Sequence, residues 1–479
     1  MGAQVFVWHQ RGAWRGSCCL GRHEAGGVKR QYEEGAGPAS DDALQERLKL
    51  FTMKRTGISR SFSVFEDFVV SYSRKNWLLA ALFFLIIGTF WLLGSLQEPI
   101  FYHLVGRQYH PDVNVISFFC IIPLLLGYMA GLNRWQPQTV LAGATALYAL
   151  FFAAAAFLLT VPGIGLPDAI PSCGNLLGWA YFAITKTYGS LMVTLFWTYA
   201  TSVTTVEEAK KSFPFITVCA QIGSVAGTTL VRIASGYGIP LLVAGAVVGM
   251  VAIGLVLHVL SCSVSITRVV SQEPSAGIFE GFWLLVRHPY LRGVLVVSTG
   301  YLIITAFFDY QMHYLANQLY PTIEQFAWFK GVYGQMVNGV TLVLALGGTG
   351  WLLTHVGVAA CLLVYPLVTA VCVGIVWCYP TLWVVAAVMV IIRALSLGFN
   401  NPTKEIVYIP ENEEVRYKAK GWIDIVGYRA AFALGSQITS WIATPYQLLV
   451  NASAGISWVI IVVWGYYAWV VGKHFKAKS

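Results

Sequence analysis

From Asn76 onward the chain is a succession of apolar stretches, each close to the ~20 residues that a helix needs to cross a bilayer. About twelve can be counted, over 77–98, 113–132, 139–161, 177–203, 211–235, 239–261, 293–316, 326–353, 357–378, 382–400, 419–443 and 449–471. No other feature constrains the fold as much. A backbone in hydrocarbon must satisfy its own polar groups, and a helix does so within one segment. Composition agrees: of 479 residues, 57% are hydrophobic and only 11% are charged. An average soluble domain carries ~25% charged residues, and the mean hydropathy here is +0.65. So few charges cannot cover a soluble surface, which excludes a soluble enzyme, a disordered chain and a disulfide-stapled secreted domain. The expected class is all-α, a polytopic membrane protein of about twelve transmembrane helices.

The stretches fall into two groups of six. The expected organisation is an N-terminal extension over 1–75, disordered in its first 52 residues, then a six-helix half over 76–261, a cytoplasmic linker over 262–292 and a second half over 293–479. Met53, followed by Lys54 and Arg55, reads as an alternative start. The linker carries Phe279, Phe282, Trp283, Leu284 and Leu285 beside Arg287 and Arg292, the composition of an interfacial amphipathic helix. Six plus six with a long central link is the layout of major-facilitator-type transporters. Basic residues set the orientation. With both termini cytoplasmic, the inward segments hold Arg74, Lys75, Arg134, Lys210, Lys211, Arg268, Arg287, Arg292, Lys404, Arg416, Lys418, Lys420, Lys473, Lys476 and Lys478. The outward segments hold Arg107, with Arg232 and Lys330 near helix ends. The net charge of +9 is explained by this asymmetry, and no nucleic-acid partner is implied. The sequon Asn451–Ala452–Ser453 falls on a short outward loop in this scheme.

No phosphate-binding G-x-x-x-x-G-K-[ST] loop, H-E-x-x-H or G-x-S-x-G motif is present. The nine cysteines include no C-x-x-C pair, so neither a metal site nor a disulfide framework is expected. The informative residues are charges inside apolar stretches, which are costly unless paired or functional. Lys186 lies in the fourth stretch, Asp309 in the seventh, Arg393 in the tenth, and Asp424 and Arg429 in the eleventh. The fourth, fifth, eighth and eleventh stretches are the least apolar and should face the protein interior. Two readings of these charges stay open. One is ion pairing between helices, for instance Asp424 with Arg393. The other is a polar path for an anionic solute, with Lys186, Arg393 and Arg429 supplying excess positive charge. Asp309 and His313 stand one helical turn apart and form a candidate proton-handling pair. His103, His110 and His355 are expected on solvated loops. A faint internal echo links two charged loops, Glu207–Glu208 before Lys210–Lys211 and Glu413–Glu414 before Arg416, Lys418 and Lys420. Small residues follow each: Gly223, Ser224, Ala226 and Gly227, then Gly427, Ala430, Ala431, Gly435 and Ser436. Such faces let helices approach closely.

Two runs carry a family resemblance. The first is Phe196–Trp197–Thr198–Tyr199–Ala200–Thr201–Ser202–Val203–Thr204–Thr205–Val206–Glu207–Glu208–Ala209–Lys210–Lys211–Ser212–Phe213–Pro214. The second is Asn401–Pro402–Thr403–Lys404–Glu405–Ile406–Val407–Tyr408–Ile409–Pro410, continuing through Glu413–Glu414–Val415, Lys418 and Lys420 to Ile423–Asp424–Ile425–Val426–Gly427. Together they resemble the bacterial and plastid nucleotide transporter family, whose best-known members exchange ATP for ADP. The likeness covers about 70–479. It implies a non-enzymatic membrane carrier that moves nucleotides by alternating access, with ATP and ADP as substrate and no bound cofactor. It places substrate contacts at Lys404, Glu405, Lys420 and Asp424, beside Lys186, Asp309, Arg393 and Arg429. The chain departs from the pattern elsewhere. Where the family carries R-D-T-K-D it reads Gly94–Ser95–Leu96–Gln97–Glu98–Pro99, with Gln97 at the Lys position. The Glu of the family's A-N-E-I is lost in Ala200–Thr201–Ser202–Val203. The family's V-E-V-T-W-K becomes Phe308–Asp309–Tyr310–Gln311–Met312–His313.

The expected function is nucleotide transport across a bacterial inner membrane or plastid-type envelope, with ATP:ADP antiport as the leading form. Two alternatives stand beside it: a proton-coupled importer of another nucleotide using Asp309 and His313, and a membrane homologue that transports nothing. The partners implied are the nucleotide and the lipid bilayer.

Overall fold

The computed structural model describes residues 73–263, 283, 285, 287–344, 357–407, 422–442 and 444–478. By proximity of Cα atoms the chain divides into two units, Met1–Val7 with Trp77–Ser479, and Trp8–Asn76. Of the second, only 73–76 are described, where the first helix begins. The expected disordered segment over the first 52 residues, His355 and most of the linker, including Phe279, Phe282 and Leu284, lie outside the described residues.

Among the described residues all regular structure is helical. The helices are α1 Arg74–Leu104, α2 His110–Arg134, α3 Pro137–Leu158, α4 Leu176–Ser202, α5 Val206–Ala234, α6 Ile239–Ser263, α7 Pro289–Leu319, α8 Ile323–Val343, α9 Val358–Cys378, α10 Leu382–Leu395, α11 Asn401–Val407, α12 Tyr428–Ile442 and α13 Tyr446–Lys478. A π turn, Ser396–Asn400, carries α10 into α11 without a break, and a second, Ile423–Gly427, leads into α12. Counting those composite segments once, the described residues form twelve helical segments, in register with the twelve apolar stretches. The tenth runs on to Val407, beyond the expected end at 400. The sequon Asn451–Ala452–Ser453 is inside α13, not on a loop.

Local chemistry sets the starts. The Asn175 side chain accepts from the Gly178 amide at 3.1 Å and opens α4. Thr205 and Glu208 form a capping box at α5, and Thr322 caps α8, satisfying amides that have no partner within the helix. Pro111, Pro137 and Pro289 sit in first turns, where a missing N–H costs nothing. Between α1 and α2 the chain reverses at Gly106, whose φ of +117° only glycine adopts readily.

Nine described helices are long and apolar enough to cross a membrane. α4, α8 and α12 are not among them, and they hold Lys186, Lys330 and Arg429. α5 qualifies with the lowest hydropathy of the nine, 1.4. Of these less apolar helices α4 is built into the interior, burying Tyr181, Phe182, Tyr188, Phe196 and Tyr199, but the most buried of the nine spans are α7 and α10, both more apolar than α5. By contrast Leu147, Leu150, Phe157, Val248, Leu255, Val371 and Val462 are exposed on α3, α6, α9 and α13, the arrangement a lipid solvent favours.

The small-residue faces expected on α5 and α12 are where helices cross most closely. Cβ atoms on Gly223 and Gly227 would run into the carbonyls of Phe84 and Gly88 on α1. One on Gly435 would lie 2.8 Å from the Ile303 carbonyl and from the Ala306 Cβ on α7. The first and fifth segments of the chain thus cross as the seventh and eleventh do. α8 is set against α5 in the same manner, with Gly331 against the Arg232 backbone and Gly334 against Thr228.

Candidate substrate site

A chain of charged side chains lies buried where α1, α7, α8 and α10 meet. Arg393 of α10 donates to Asp309 of α7 at 2.8 Å. Asp309 is 3.5 Å from Nδ1 of His313, one turn further along α7. Nε2 of His313 lies 2.9 Å from the Lys330 ammonium of α8, which pairs with Glu98 of α1 at 3.0 Å. Side-chain exposure is 9% for Lys330, 5% for Glu98, 6% for Asp309 and 0% for His313, but 34% for Arg393, so only Arg393 opens to a solvated space. His110, first residue of α2, completes the cluster, its ring 5.5 Å from that of His313 and 5.6 Å from that of Tyr102.

The hydrogen bonds fix a tautomer. An ammonium has donors only. Lys330 therefore donates to Nε2, and the His313 proton is on Nδ1, facing Asp309. His313 is neutral in this arrangement, and two carboxylates balance Lys330 and Arg393. Glu98, His110, Asp309 and His313 each offer a ligand atom within 4.8 Å of the others, a donor set suited to a cation. The Lys330 ammonium already bonds two of the four.

A second group faces this cluster from α4 and α12. Lys186 places its ammonium 5.3 Å from the Phe182 ring and 5.7 Å from the Phe432 ring. Arg429 donates to Ser190. Ser190 is one turn beyond Lys186 on α4, and Phe432 one turn beyond Arg429 on α12, so the two cations are neighbours along facing helices. Neither has a carboxylate within 4.0 Å among the described residues. Lys186 is within electrostatic reach of Glu98, Asp309, Arg393 and Lys330. Both cations are half-buried. The arrangement suits an anion: two cations lack acidic partners among the described residues, and a third, Arg393, is partly solvated.

Beneath Arg393 the π turn of α10 is tied to its surroundings by tyrosines. Ser396 donates to the Tyr301 hydroxyl at 2.7 Å, Tyr301 meets Tyr428, and Tyr365 donates to the Ile392 carbonyl at 3.0 Å. Lys404 lies past this turn, buried, with its ammonium 5.6 Å from the Tyr428 ring.

Of the residues singled out from sequence, the structure brings Asp309, His313 and Arg393 into one cluster and sets Lys186 with Arg429. Lys404, assigned to an inward segment, is a buried residue of α11. Glu405 and Asp424 fall on described backbone but their side chains are not described, and Lys420 lies outside the described residues. Arg393 pairs with Asp309, whereas the ion-pairing reading had offered Asp424 as an instance of a partner. His110 is 3% exposed instead of solvated, because α2 begins one residue before Pro111 and turns its first side chain among the Tyr102, Phe182, Tyr310 and His313 rings. His103, in the last turn of α1, bonds the Leu166 carbonyl. Lys330 belongs to the interior of α8, not its end. Glu98 and its pairing with Lys330 escaped sequence reasoning; the signal was a lone carboxylate before Pro99, which reads as a helix end. The helix continues through Pro99 to Leu104. Gln97 at the divergent position is buried and donates to the Phe182 carbonyl at 3.4 Å.

Comparison with known proteins agrees with this architecture. The chain resembles ADP,ATP carrier protein 1, chloroplastic, of Arabidopsis thaliana, at 23% identity over 59% of this chain and 51% of that protein. It resembles ADP,ATP carrier protein 1 of Chlamydia pneumoniae at 23% over 63% of this chain and 68% of that one. With ADP,ATP carrier protein 4 of Rickettsia bellii the identity is 20% over 88% and 94%. The chain thus spans about half the length of the plant protein. Among solved structures it is similar to the nucleoside transporter NupG, with a TM-score of 0.58 and 13% identity over 82% of this chain and 99% of that one. A D-xylose-proton symporter aligns with a TM-score of 0.57 and 13% identity over 85% and 97%. These likenesses show the fold, the major-facilitator-like helical bundle expected from the six-plus-six layout. A family model for the TLC ATP/ADP transporter matches residues 169–476, most of the helical region that holds the cations described above, and the chain belongs to that family.

Proposed function

We propose that this membrane protein carries nucleotides by alternating access, exchanging ATP for ADP across a bacterial inner membrane or plastid-type envelope, with both termini cytoplasmic. The observation that carries the reading is the pair Lys186 and Arg429, facing each other from α4 and α12 without an acidic partner among the described residues. Cations left half-buried and unpaired are costly, and a polyphosphate repays that cost with charge-assisted hydrogen bonds. Arg393, partly solvated and held by Asp309, faces the same space as a third contact. Lys404, past the π turn of the helix that holds Arg393, extends the path toward the cytoplasm, and the resemblance gives Glu405, Lys420 and Asp424 as further substrate contacts. The halves over 76–261 and 293–479 rock about this centre, and their close α1–α5 and α7–α12 crossings keep each one rigid. The names of the relatives, ADP,ATP carrier proteins, support the choice of substrate.

The test is uptake of labelled ATP into cells producing the protein, with and without internal ADP. Uptake that accelerates with internal ADP and ignores a protonophore supports exchange. Uptake abolished by the protonophore assigns proton symport, and no uptake of any nucleotide refutes the transport reading.

A further inference from the structure

The balanced cluster around Lys330 faces Lys186 and extends from it toward the end of the bundle where α1 finishes and α2 and α8 begin. The proposed orientation puts that end outside. We infer that Lys330 is the bolt of an outer gate, held between Glu98 of α1 and neutral His313 of α7, and that protonation of His313 withdraws it. The inference rests on the transport reading above.

Three observations carry it. Of the ion pairs in the cluster, only Glu98–Lys330 joins the proposed halves; His313–Asp309 and Arg393–Asp309 lie within the second. The bolt closes a wider seam of the same polarity. Arg232 of α5 donates to Gln335 of α8 at 2.9 Å, and Gln221 donates to Asn338 at 3.2 Å. The Arg107 guanidinium, between α1 and α2, covers the Tyr314 ring of α7 at 4.1 Å. Finally, the tautomer makes the bolt and the proton exclusive. His313 Nε2 either accepts from the Lys330 ammonium or holds a proton of its own, and a donor cannot face a donor.

The surroundings decide the direction of the response. His313 is faced by Glu98 and Tyr102 from α1, His110 from α2, Asp309 from its own α7 and Lys330 from α8, with Tyr310 against His110 and Tyr333 against Lys330. Arg393 of α10 reaches the cluster through Asp309, and Lys186 of α4 acts on Glu98 and Asp309. With His313 neutral, Glu98 and Asp309 balance Lys330 and Arg393. A second proton on His313 charges the ring, strengthens its attraction to Asp309 3.5 Å away, and leaves one positive charge in excess beside Lys330. The long, flexible lysine is the group that can leave. Its departure frees α8 from α1, so the gate opens as pH falls.

The test uses a reporter that is not part of the cluster. Ser95, one turn before Glu98 on α1, is buried beside Gly334 of α8. Ser95→Cys is placed in the full chain with Cys173 and Cys378 replaced by serine, and is labelled in intact cells with a membrane-impermeant maleimide. Labelling should rise about tenfold from about pH 7.5 to about pH 5.5, the window in which a histidine charges once the gate is open and Lys330 has left it. His313→Gln keeps an acceptor for Lys330 but cannot titrate, so labelling should stay slow at both values. Lys330→Met should label fast at both, and Glu98→Gln likewise, which secures the reading if the lysine variant fails to accumulate. A full pH response in His313→Gln, or slow labelling in both Lys330→Met and Glu98→Gln, overturns the gate. ATP uptake at one fixed pH is measured alongside. Normal uptake with an overturned gate refutes this inference alone, and no uptake with an intact pH response refutes the substrate reading alone.

Discussion

Replacing Lys186 by glutamine tests the substrate site most directly. The ammonium sits over Phe182 and Phe432, and no carboxylate lies within 4.0 Å of it among the described residues. If it serves the phosphates, the substitution removes one charge-assisted hydrogen bond, about 1.5–3 kcal/mol. Since ~1.4 kcal/mol is a factor of ten, apparent affinity for ATP should weaken about tenfold to hundredfold. If the lysine serves only the rings, the loss is a cation–π contact of about 0.5–2 kcal/mol, and it should appear as lower thermal stability with affinity unchanged. Competition for bound labelled ATP on the purified protein separates the two. ATP, AMP and adenosine are each used as competitor against wild type and variant. The phosphate role requires a large loss for ATP, a smaller one for AMP and almost none for adenosine, and Lys186→Arg should recover part of it. Equal losses for ATP and adenosine would refute the reasoning.

Asp309→Asn should lower the melting temperature, because it strands Arg393 beside neutral groups. Breaking a buried pair costs ~3–5 kcal/mol, and about half of that is expected here because Arg393 is 34% exposed. Asp309→Asn combined with Arg393→Gln should be less destabilised than the single variant; a double variant that melts lower still would contradict the pairing. Gly227→Ala drives a Cβ into the Gly88 carbonyl and should destabilise by ~1–3 kcal/mol, whereas Gly245→Ala, with open space around it, should gain ~0.5–1 kcal/mol; melting in detergent reads both. A cysteine at exposed Gln447 should react with impermeant reagent from outside, and one near Glu413 only after permeabilisation, the reverse pattern overturning the proposed orientation.

What could be read from sequence follows from what is local. Twelve apolar stretches are visible because each alone meets the length a bilayer demands, and the weak stretches are visible because Lys186, Lys330 and Arg429 interrupt them. Pairing is not local. Nothing along the chain ties Glu98 to Lys330, and the proline after Glu98 argues for a helix end that α1 ignores. His110 looked like a loop residue because Gly106 and Gln108 precede it, and only packing reveals that the next helix starts there. Asp309 and His313 were legible as a pair because helical spacing puts them one turn apart, but Arg393 could have served either Asp309 or Asp424 on sequence grounds. The end of the tenth segment was misplaced because Asn400, Asn401 and Lys404 are polar, and burial in a helix was not expected of them.

The π turn Ser396–Asn400 has a consequence for inheritance of the helix that contains it. A helix advances ~100° per residue, so a wide turn that takes in one residue more sets everything downstream about that angle away from where regular winding of the same sequence would put it. Arg393 precedes the turn and points to Asp309; Thr403 and Lys404 follow it and are buried against other neighbours. The two ends of one continuous helix therefore carry separate angular settings. Regular winding of the same residues would leave Arg393 in place and swing Lys404 off its present face, whereas deletion of Leu397 with regular winding would keep both faces as they are. In such a helix the wide turn takes up the gain or loss of a single codon, and neither functional run need change face.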